Sequence, residues 1–302
     1  MALRRAPPTP VARSSPSAPE RFRDLDRYRV EREWSRYEGT AQRELFRTLR
    51  ERFLARHAGA VGRVIDVGSG AGRFTPRMGG PESRRIAVDL SAEMLRAIPD
   101  HWPPELDLPD RVRADGRIPP FRPGLAAEVG LLGNAIGFAG DDAMNILHRS
   151  AELVAPGGRL LLETAPGPGT TSRYLHRLPS GAVRRLLHAP LGAVAPRVLK
   201  EGFVRLASPD RTRHGFRPVS YRTLASALAK DGLGIAEAIA VAPSLGAEPE
   251  VVESIRGDPV AWDRLLALEE RTGAAPMVRE PAAALLVAAV RPATDAIAEG
   301  RK

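Results

Sequence analysis

Val64-Ile65-Asp66-Val67-Gly68-Ser69-Gly70-Ala71-Gly72-Arg73-Phe74 is the stretch that decides the fold of this 302-residue chain. Its first residues form a short apolar run, the pattern of a strand buried on both faces of a parallel sheet. The run passes into three glycines at every second position. A turn of that kind brings backbone close to a ligand, because a side chain at Gly68, Gly70 or Gly72 would occupy the ligand's space or demand a forbidden φ. The spacing is G-x-G-x-G. It is not the G-x-G-x-x-G of nicotinamide-binding turns, since Arg73 stands where that fingerprint has its third glycine. An acid, Asp66, lies two residues before the first glycine.

The neighbouring segments repeat the same grammar. Arg85-Ile86-Ala87-Val88-Asp89-Leu90 reads as a second strand ending in an acid, about 20 residues after the loop, where an α/β nucleotide fold sets a carboxylate on ribose hydroxyls. Val112-Arg113-Ala114-Asp115-Gly116 is a third strand, ending in Asp115. Glu128-Val129-Gly130-Leu131-Leu132-Gly133-Asn134 is a fourth, with Asn134 at its carboxyl end. A helix-like run from Asp141 to Val154 stops at Pro156-Gly157-Gly158, and Arg159-Leu160-Leu161-Leu162-Glu163 is the fifth strand. Taken singly, each acid has a simpler reading. Asp66 suits a turn, Asp89 could cap a helix starting near Ser91, and Asp115-Gly116 is an ordinary turn signal. Their joint placement at strand ends favours a ligand, because open α/β sheets bind outside the carboxyl ends of their strands.

The D-x-G-x-G-x-G pattern, with the acids that follow it and the order "helix, P-G-G, apolar strand", resembles the class I S-adenosylmethionine-dependent methyltransferases. The likeness covers about residues 60 to 165 by motif and 220 to 292 by pattern. It implies an α/β fold: a Rossmann-like doubly wound seven-stranded sheet with an antiparallel last strand, a helical N-terminal lid and a cap insertion. It also implies S-adenosyl-L-methionine as cofactor, held by Asp66, Gly68, Ser69, Gly70, Gly72, Asp89, Leu90, Met94, Asp115, Gly116 and Asn134. In such a site Leu90 and Met94 sandwich the adenine, and Asp115 accepts from its amino group.

The rest of the chain divides by composition. Residues 1–20 are rich in Pro, Ser, Ala and Arg, cannot bury a core, and are expected to be a disordered tail. Their acid-poor, Arg- and Ser-rich start also resembles a transit peptide, but five prolines oppose the helix such a peptide needs. Residues 21–59 read as two helices broken at Glu38-Gly39-Thr40 and are expected to form the lid. Thr40 is the candidate cap of the second helix, whose stripe contains Leu45, Leu49 and Phe53. Residues 60–165 form the core. Residues 166–219 stand where the family inserts a substrate cap. Residues 220–292 complete the core, with strands at 234–242 and 282–290 and a helical insertion at 244–280, centred on 261–271. Residues 293–302 are a tail.

Composition excludes several chemistries. With no cysteine there is no disulfide, no zinc–thiolate site and no cysteine nucleophile. No run of about 18 apolar residues is present to span a membrane, and the N-terminus lacks a signal-peptide core. A reducing cytoplasm is the expected compartment. The net charge is +9, yet of 45 basic residues only Lys200, Lys230 and Lys302 are lysines. The arginines alternate with acids, as from Arg21 to Arg36. That pattern fits GC-rich codon usage and salt-bridged surface helices better than a phosphate-binding face.

The reading of the chemistry rests on strand ends. Asn134 and Glu163 end strands four and five and are expected to face the reacting centre. Gly133-Asn134 resembles the G-N of some small-amine N-methyltransferases. The D/N-P-P-Y/F motif of amino-methylating nucleic-acid enzymes is absent, because Ala135-Ile136-Gly137-Phe138 follows Asn134. His176, His188 and His214 are candidate bases. His214 has the best case because Arg211, Arg213 and Arg217 surround it and could hold an acidic substrate. Tyr28, Tyr37 and Arg213 are the substrate candidates. No spacing suggests a metal site. The expected activity is methyl transfer to oxygen or nitrogen of a small molecule, by a monomer or homodimer. An RNA methyltransferase and a non-catalytic cofactor-binding protein are the alternatives.

Overall fold

The computed structural model describes residues 27–166, 204–207 and 213–293. The proposed tails and most of the 166–219 segment, with His176, His188 and Arg211, lie outside these residues. Two helices come first: α1 (Arg27–Ser35) and α2 (Ala41–His57). Thr40 caps α2, its hydroxyl accepting from the Arg43 N–H at 3.3 Å, and Gly39 takes up a φ of +87° in the break.

Five strands follow: β1 (Arg63–Val67), β2 (Arg84–Asp89), β3 (Asp110–Arg113), β4 (Ala126–Leu131) and β5 (Val154–Thr164). Between them lie α3 (Ala92–Ala97), α4 (Ala135–Phe138) and α5 (Ala143–Leu153). The backbone then returns in a short antiparallel pair, β6 (Val204–Ala207) and β7 (Arg213–Phe216). The chain continues with α6 (Tyr221–Lys230), β8 (Gly234–Ala240), α7 (Pro249–Ser254), α8 (Pro259–Gly273) and β9 (Leu285–Val290).

The main sheet has seven strands in the order β3-β2-β1-β4-β5-β9-β8. β9 runs antiparallel to both β5 and β8, and β1 to β5 pair in parallel. The strand order reverses between β1 and β4, so their carboxyl ends open the crevice where such sheets bind ligands. Side-chain alternation builds two cores. Ile65, Val67, Val129, Leu160, Leu162 and Val287 pack under α5 and α6. Val64, Leu161, Leu286 and Ala288 pack under α2 and α8.

Two segments differ from the sequence reading, each for a visible reason. The helix expected at 141–154 is α5, from Ala143 to Leu153, and a separate short turn of helix, α4, precedes it. The Pro-Gly-Gly segment ends α5 but also belongs to β5. There Gly157 N–H donates to Arg291 O and Arg291 N–H to Gly158 O, which extends the pairing beyond β9. The insertion between β8 and β9 holds two helices rather than one. It is no appendage, since Val252, Leu265 and Leu266 are buried against α2. The buried Glu269 accepts from the Ser244 hydroxyl and the Ser244 and Gly246 N–H groups. Among the described residues no helix is long and apolar enough to cross a membrane.

Asp66 and Glu128 are buried on the α2 side of the sheet, as Glu163 is. Register sets Glu128 opposite Val64 and Asp66 opposite Gly130, so both carboxylates share one face. Asp66 accepts from the Thr75 hydroxyl at 2.6 Å, and Glu128 accepts from the Gly79 N–H at 3.0 Å. One oxygen of each, Asp66 Oδ1 and Glu128 Oε2, is buried without a hydrogen-bond partner. Burial pushes Asp66 up to about 6, against the Thr75 bond and with the charge of Asp89 adding to it. Burial pushes Glu128 up to about 7, opposed by Gly79, Arg159 and Arg85.

Because both pKa values rise on folding, the folded state holds these protons more tightly than the unfolded chain. The linked stabilisation is complete below the ordinary carboxylate values and is lost as pH rises through about 6 and 7. The expected outcome is a melting temperature that falls between pH 5 and pH 8 by several degrees, for a loss on the order of 1–3 kcal/mol. Glu128→Gln should flatten much of that slope in calorimetry. An unchanged slope in the variant would show that Glu128 does not carry it.

Candidate functional site

The glycine turn sits where the sequence put it, at the carboxyl end of β1. The Gly68 and Ser69 N–H groups donate to Val88 O at 2.8 and 3.0 Å, which ties the turn to the end of β2. Gly68, Gly70 and Gly72 have φ of +73°, +55° and +78°, conformations that L side chains resist. The three differ in surroundings. A Cβ on Gly68 would come within 2.8 Å of the Ala135 Cβ, and one on Gly72 within 3.1 Å of Ile98. A Cβ on Gly70 would meet nothing within 4 Å. Gly70 is therefore the point of the turn that faces open space.

Asp89 closes this side of the turn. Its half-buried carboxylate accepts from the Gly70 N–H and the Ser91 N–H, each at 2.8 Å. The cap of α3 is Ser91, whose hydroxyl accepts from the Met94 N–H. Burial raises the Asp89 pKa, and the Ser91 and Gly70 N–H bonds oppose the rise. Leu90 is half-buried beside it. Met94 is buried in a small cluster with Val30 and Ala71, and Trp34 packs on that cluster. Thus α1 lies over the glycine turn and Met94.

Other expected positions have partners of their own. Asp66, 2 % exposed, braces the turn from beneath through Thr75. Asp115 is held by Arg117, with Nη2 at 2.6 Å from Oδ2, and Arg117 also reaches Asp142 at 2.8 Å. Gly116 packs so tightly against Val67 and Ile146 that a Cβ would clash at 2.8 and 2.7 Å. The Ser69 hydroxyl lies 3.5 Å from Gly70 O, at the limit of a hydrogen bond.

At the ends of β4 and β5 the geometry is denser. Gly133 and Asn134 are both left-handed, with φ of +63° and +65°. Asn134 is one of two non-glycine residues with positive φ among the described residues, a strain that costs about 1–2 kcal/mol and has to be held from outside. Its Oδ1 is buried and has no hydrogen-bond partner. The side chain lies over Gly137, where a Cβ would come within 2.5 Å of it.

Glu163 supplies the hold. It is 4 % exposed, and its Oε1 accepts from Arg50 Nη2 at 2.5 Å. Its Oε2 accepts from Arg50 Nε at 3.1 Å and from the Gly133 N–H at 3.3 Å. Burial alone would raise the Glu163 pKa, but the Arg50 guanidinium outweighs it and holds the carboxylate below its usual range. Glu163 thus lies one residue before the end of β5, with both oxygens engaged.

Tyr37 is nearly buried, at 7 % exposure. The Arg50 and Arg73 guanidiniums each lie 5.0 Å from its ring centroid, and the Phe74 ring meets it edge-on at 6.1 Å. Arg73 also donates to Glu33 O at 2.5 Å and lies 4.9 Å from the Trp34 ring, which stacks on His101. Tyr28 belongs to α1, and Arg213 and His214 to β7, but their side chains lie outside the described residues. The backbone after β7 reaches the site, since the Arg217 N–H donates to Gly137 O at 2.8 Å. Among the described residues no three His, Asp or Glu side chains are grouped to hold a metal.

Sequence reasoning missed Arg50 and Arg73. A signal for Arg50 existed: it stands four residues after Phe46 and three before Phe53, a charge on the apolar stripe of α2.

No protein-family model and no curated protein matches this sequence. Solved structures do. Magnesium protoporphyrin IX methyltransferase from Synechocystis, solved with bound SAH, aligns at a TM-score of 0.52 and 13% identity over 91% of this chain and 100% of that one. A SAM-dependent methyltransferase from Methanosarcina mazei aligns at 0.51 and 12% identity, over 80% and 97%. The fold is that of the class I S-adenosylmethionine-dependent methyltransferases.

The buried ion pair gives a direct test. Arg50→Met should cost about 3–5 kcal/mol, because it leaves the Glu163 charge buried and uncompensated. Arg50→Met combined with Glu163→Leu should recover part of that loss. Denaturant titration of both variants and of Glu163→Leu alone checks it, and additive losses would mean that the two residues do not act as a pair.

Proposed function

We propose that this chain binds S-adenosyl-L-methionine at the carboxyl edge of β1, β2 and β4 and transfers its methyl group to oxygen or nitrogen of a small molecule. The observation that carries the reading is the open side of Gly70 beside the Asp89 carboxylate. A left-handed backbone turn with free space before it, bordered by an acid at the next strand end, suits a nucleoside with ribose hydroxyls to donate. Asp89 would take the ribose, Leu90 and Met94 the adenine faces, and Asp115 with Gly116 the adenine edge. Gly68, Ser69, Gly70 and Gly72 would line the cofactor, with Asp66 fixing the turn from below. Asn134, at the end of β4, would border the cofactor and the acceptor.

When bound, the cofactor supplies a methyl group on a sulfonium, open to in-line displacement by the acceptor. The protein's part is to hold donor and acceptor in line, which can supply several kcal/mol. The engaged oxygens and depressed pKa of Glu163 argue against a proton-accepting role for it. His214 on β7 remains the base we assign where the acceptor must lose a proton, with Tyr28 and Arg213 as substrate contacts. Tyr37, clasped by two guanidiniums, supports the site from behind. Ion pairing of the nearby arginines favours a small acceptor over RNA: Arg36 pairs with Glu33, Arg77 with Glu51 and Arg217 with Asp141.

Calorimetry should show binding of S-adenosylhomocysteine and none of NAD. Asp89→Ala should weaken that binding by roughly 1.5–3 kcal/mol for each charge-assisted bond lost. Gly70→Val should abolish it, because the new side chain enters open space that the ligand needs and a φ of +55° strains a β-branched residue there. Tight NAD binding with no response to S-adenosylhomocysteine would overturn the cofactor assignment. Labelled cofactor supplied with total RNA and with a small-metabolite extract at two salt concentrations separates the acceptors. Transfer to RNA that falls steeply with salt, with no labelled metabolite, would mean that phosphate contacts carry the binding. Cofactor binding without transfer to either would leave the non-catalytic reading.

A further inference from the structure

The glycine turn, α1 and the β4–β5 edge lie on separate stretches of chain, yet one side chain joins them. Tyr37 follows α1 directly and precedes the Gly39 break before α2. On one route it meets Arg73 and Phe74 at the end of the glycine turn, and Arg73 continues to Glu33 O and the Trp34 ring on α1. On the other route it meets Arg50, which continues through Glu163 to the Gly133 N–H. We propose that Tyr37 is a positioning residue that couples α1, lying over the glycine turn, to the left-handed Gly133–Asn134 turn on the far side of the site. The inference rests on the cofactor reading given above.

The physical basis is that each contact is short-ranged and desolvated. A guanidinium over a tyrosine face contributes more in a dry setting than at an exposed one. Burial lowers the Arg73 pKa, with Tyr37, Glu33 and Glu38 opposing, so its charge is partly stripped of water and depends on those neighbours. Among the described residues Arg73 has no carboxylate within ion-pair distance, and the Tyr37 and Trp34 rings stand in for one. Displacing α1 would remove both rings from Arg73 and one ring from Arg50. Arg50 is the group that fixes Glu163, and Glu163 is what fixes the strained turn. Occupation of the glycine turn, which needs α1 in place over Met94, would then tighten the Asn134 end as well. Coupling of this kind is a free-energy term between two sites and is reciprocal.

Hydrogen exchange with saturating S-adenosylhomocysteine tests the coupling. In the wild type the ligand should protect residues 27–35, 66–73 and 131–138 together. Tyr37→Phe keeps the aromatic face and should behave like wild type. In Tyr37→Leu the ligand should still protect 66–73, whereas its protection of 131–138 should fall several-fold and its affinity by about tenfold. Arg73→Gln cuts the same path at a half-buried residue and should give the same pattern, so a poorly folding Tyr37→Leu does not decide the matter alone. Melting temperatures of the unliganded variants separate plain destabilisation, which raises exchange everywhere, from lost coupling. Ligand protection at 131–138 that stays at the wild-type level in both Tyr37→Leu and Arg73→Gln overturns this proposal alone. Failure of the wild type to bind S-adenosylhomocysteine overturns it together with the cofactor reading.

Discussion

A guanidinium and a carboxylate, each with a side chain 5 % exposed, join the first long helix to the sheet. Desolvating two such groups costs several kcal/mol each, and only bidentate geometry with further hydrogen bonds makes up the loss. Arg50 and Glu163 meet that condition. Arg50 places Nε and Nη2 on the two carboxylate oxygens and donates Nη1 to Phe46 O. The spare capacity of Glu163 goes to the Gly133 N–H. The pair therefore does what an apolar contact could not. It fixes α2 in direction as well as distance, and it anchors the turn in which Gly133 and Asn134 are both left-handed.

Most of the fold was legible in the sequence because its signals are local. Five apolar runs punctuated by acids and glycines gave five parallel strands in order. Thr40 caps the helix it precedes, accepting from the Arg43 N–H three residues on. What was not legible depends on groups far apart in the chain. The bonds from Gly157 and Gly158 to Arg291 span more than a hundred residues, so Pro-Gly-Gly reads only as a stop. The two-helix insertion looked like an addition to a hairpin. Its burial on α2 follows from Glu269 collecting three donors from 244–246 and from Ala41 N–H donating to Glu253.

The site divides in the same way. The glycines and Asp89 were readable because their roles follow from backbone conformation and position at a strand end. Asp115, Glu163 and Tyr37 were readable as positions but not as partners. A sequence shows that an acid ends a strand; it does not show that Arg117 or Arg50 will neutralise it. Part of the arginine content, which at first suggests a polyanion, is taken up by such pairs. Arg56 meets Glu237 and Glu270, Arg84 meets Asp110, and Arg256 meets Glu44 and Glu253. Pairing of this sort is worth little to stability at exposed positions. It does weaken, at those positions, the local field that would attract phosphates.

Three of the places where this chain breaks ordinary rules are close together. Asn134 accepts a strained φ and an amide oxygen without a partner. Asp66 and Glu128 each bury an oxygen without one, under the segment that leaves the glycine turn. Glycine at 130 leaves the room that the Asp66 carboxylate and Met78 occupy, for a Cβ there would lie 3.0 Å from Asp66 Oδ1 and 2.7 Å from Met78. A chain selected only for stability would replace Glu128 by an apolar residue and relax Asn134, since each exception is unfavourable by itself. Both lie on β4 or at its end, on the strand that borders the crevice opposite β1. These three exceptions thus lie beside the turn that faces open space, which is where a binding site would justify them.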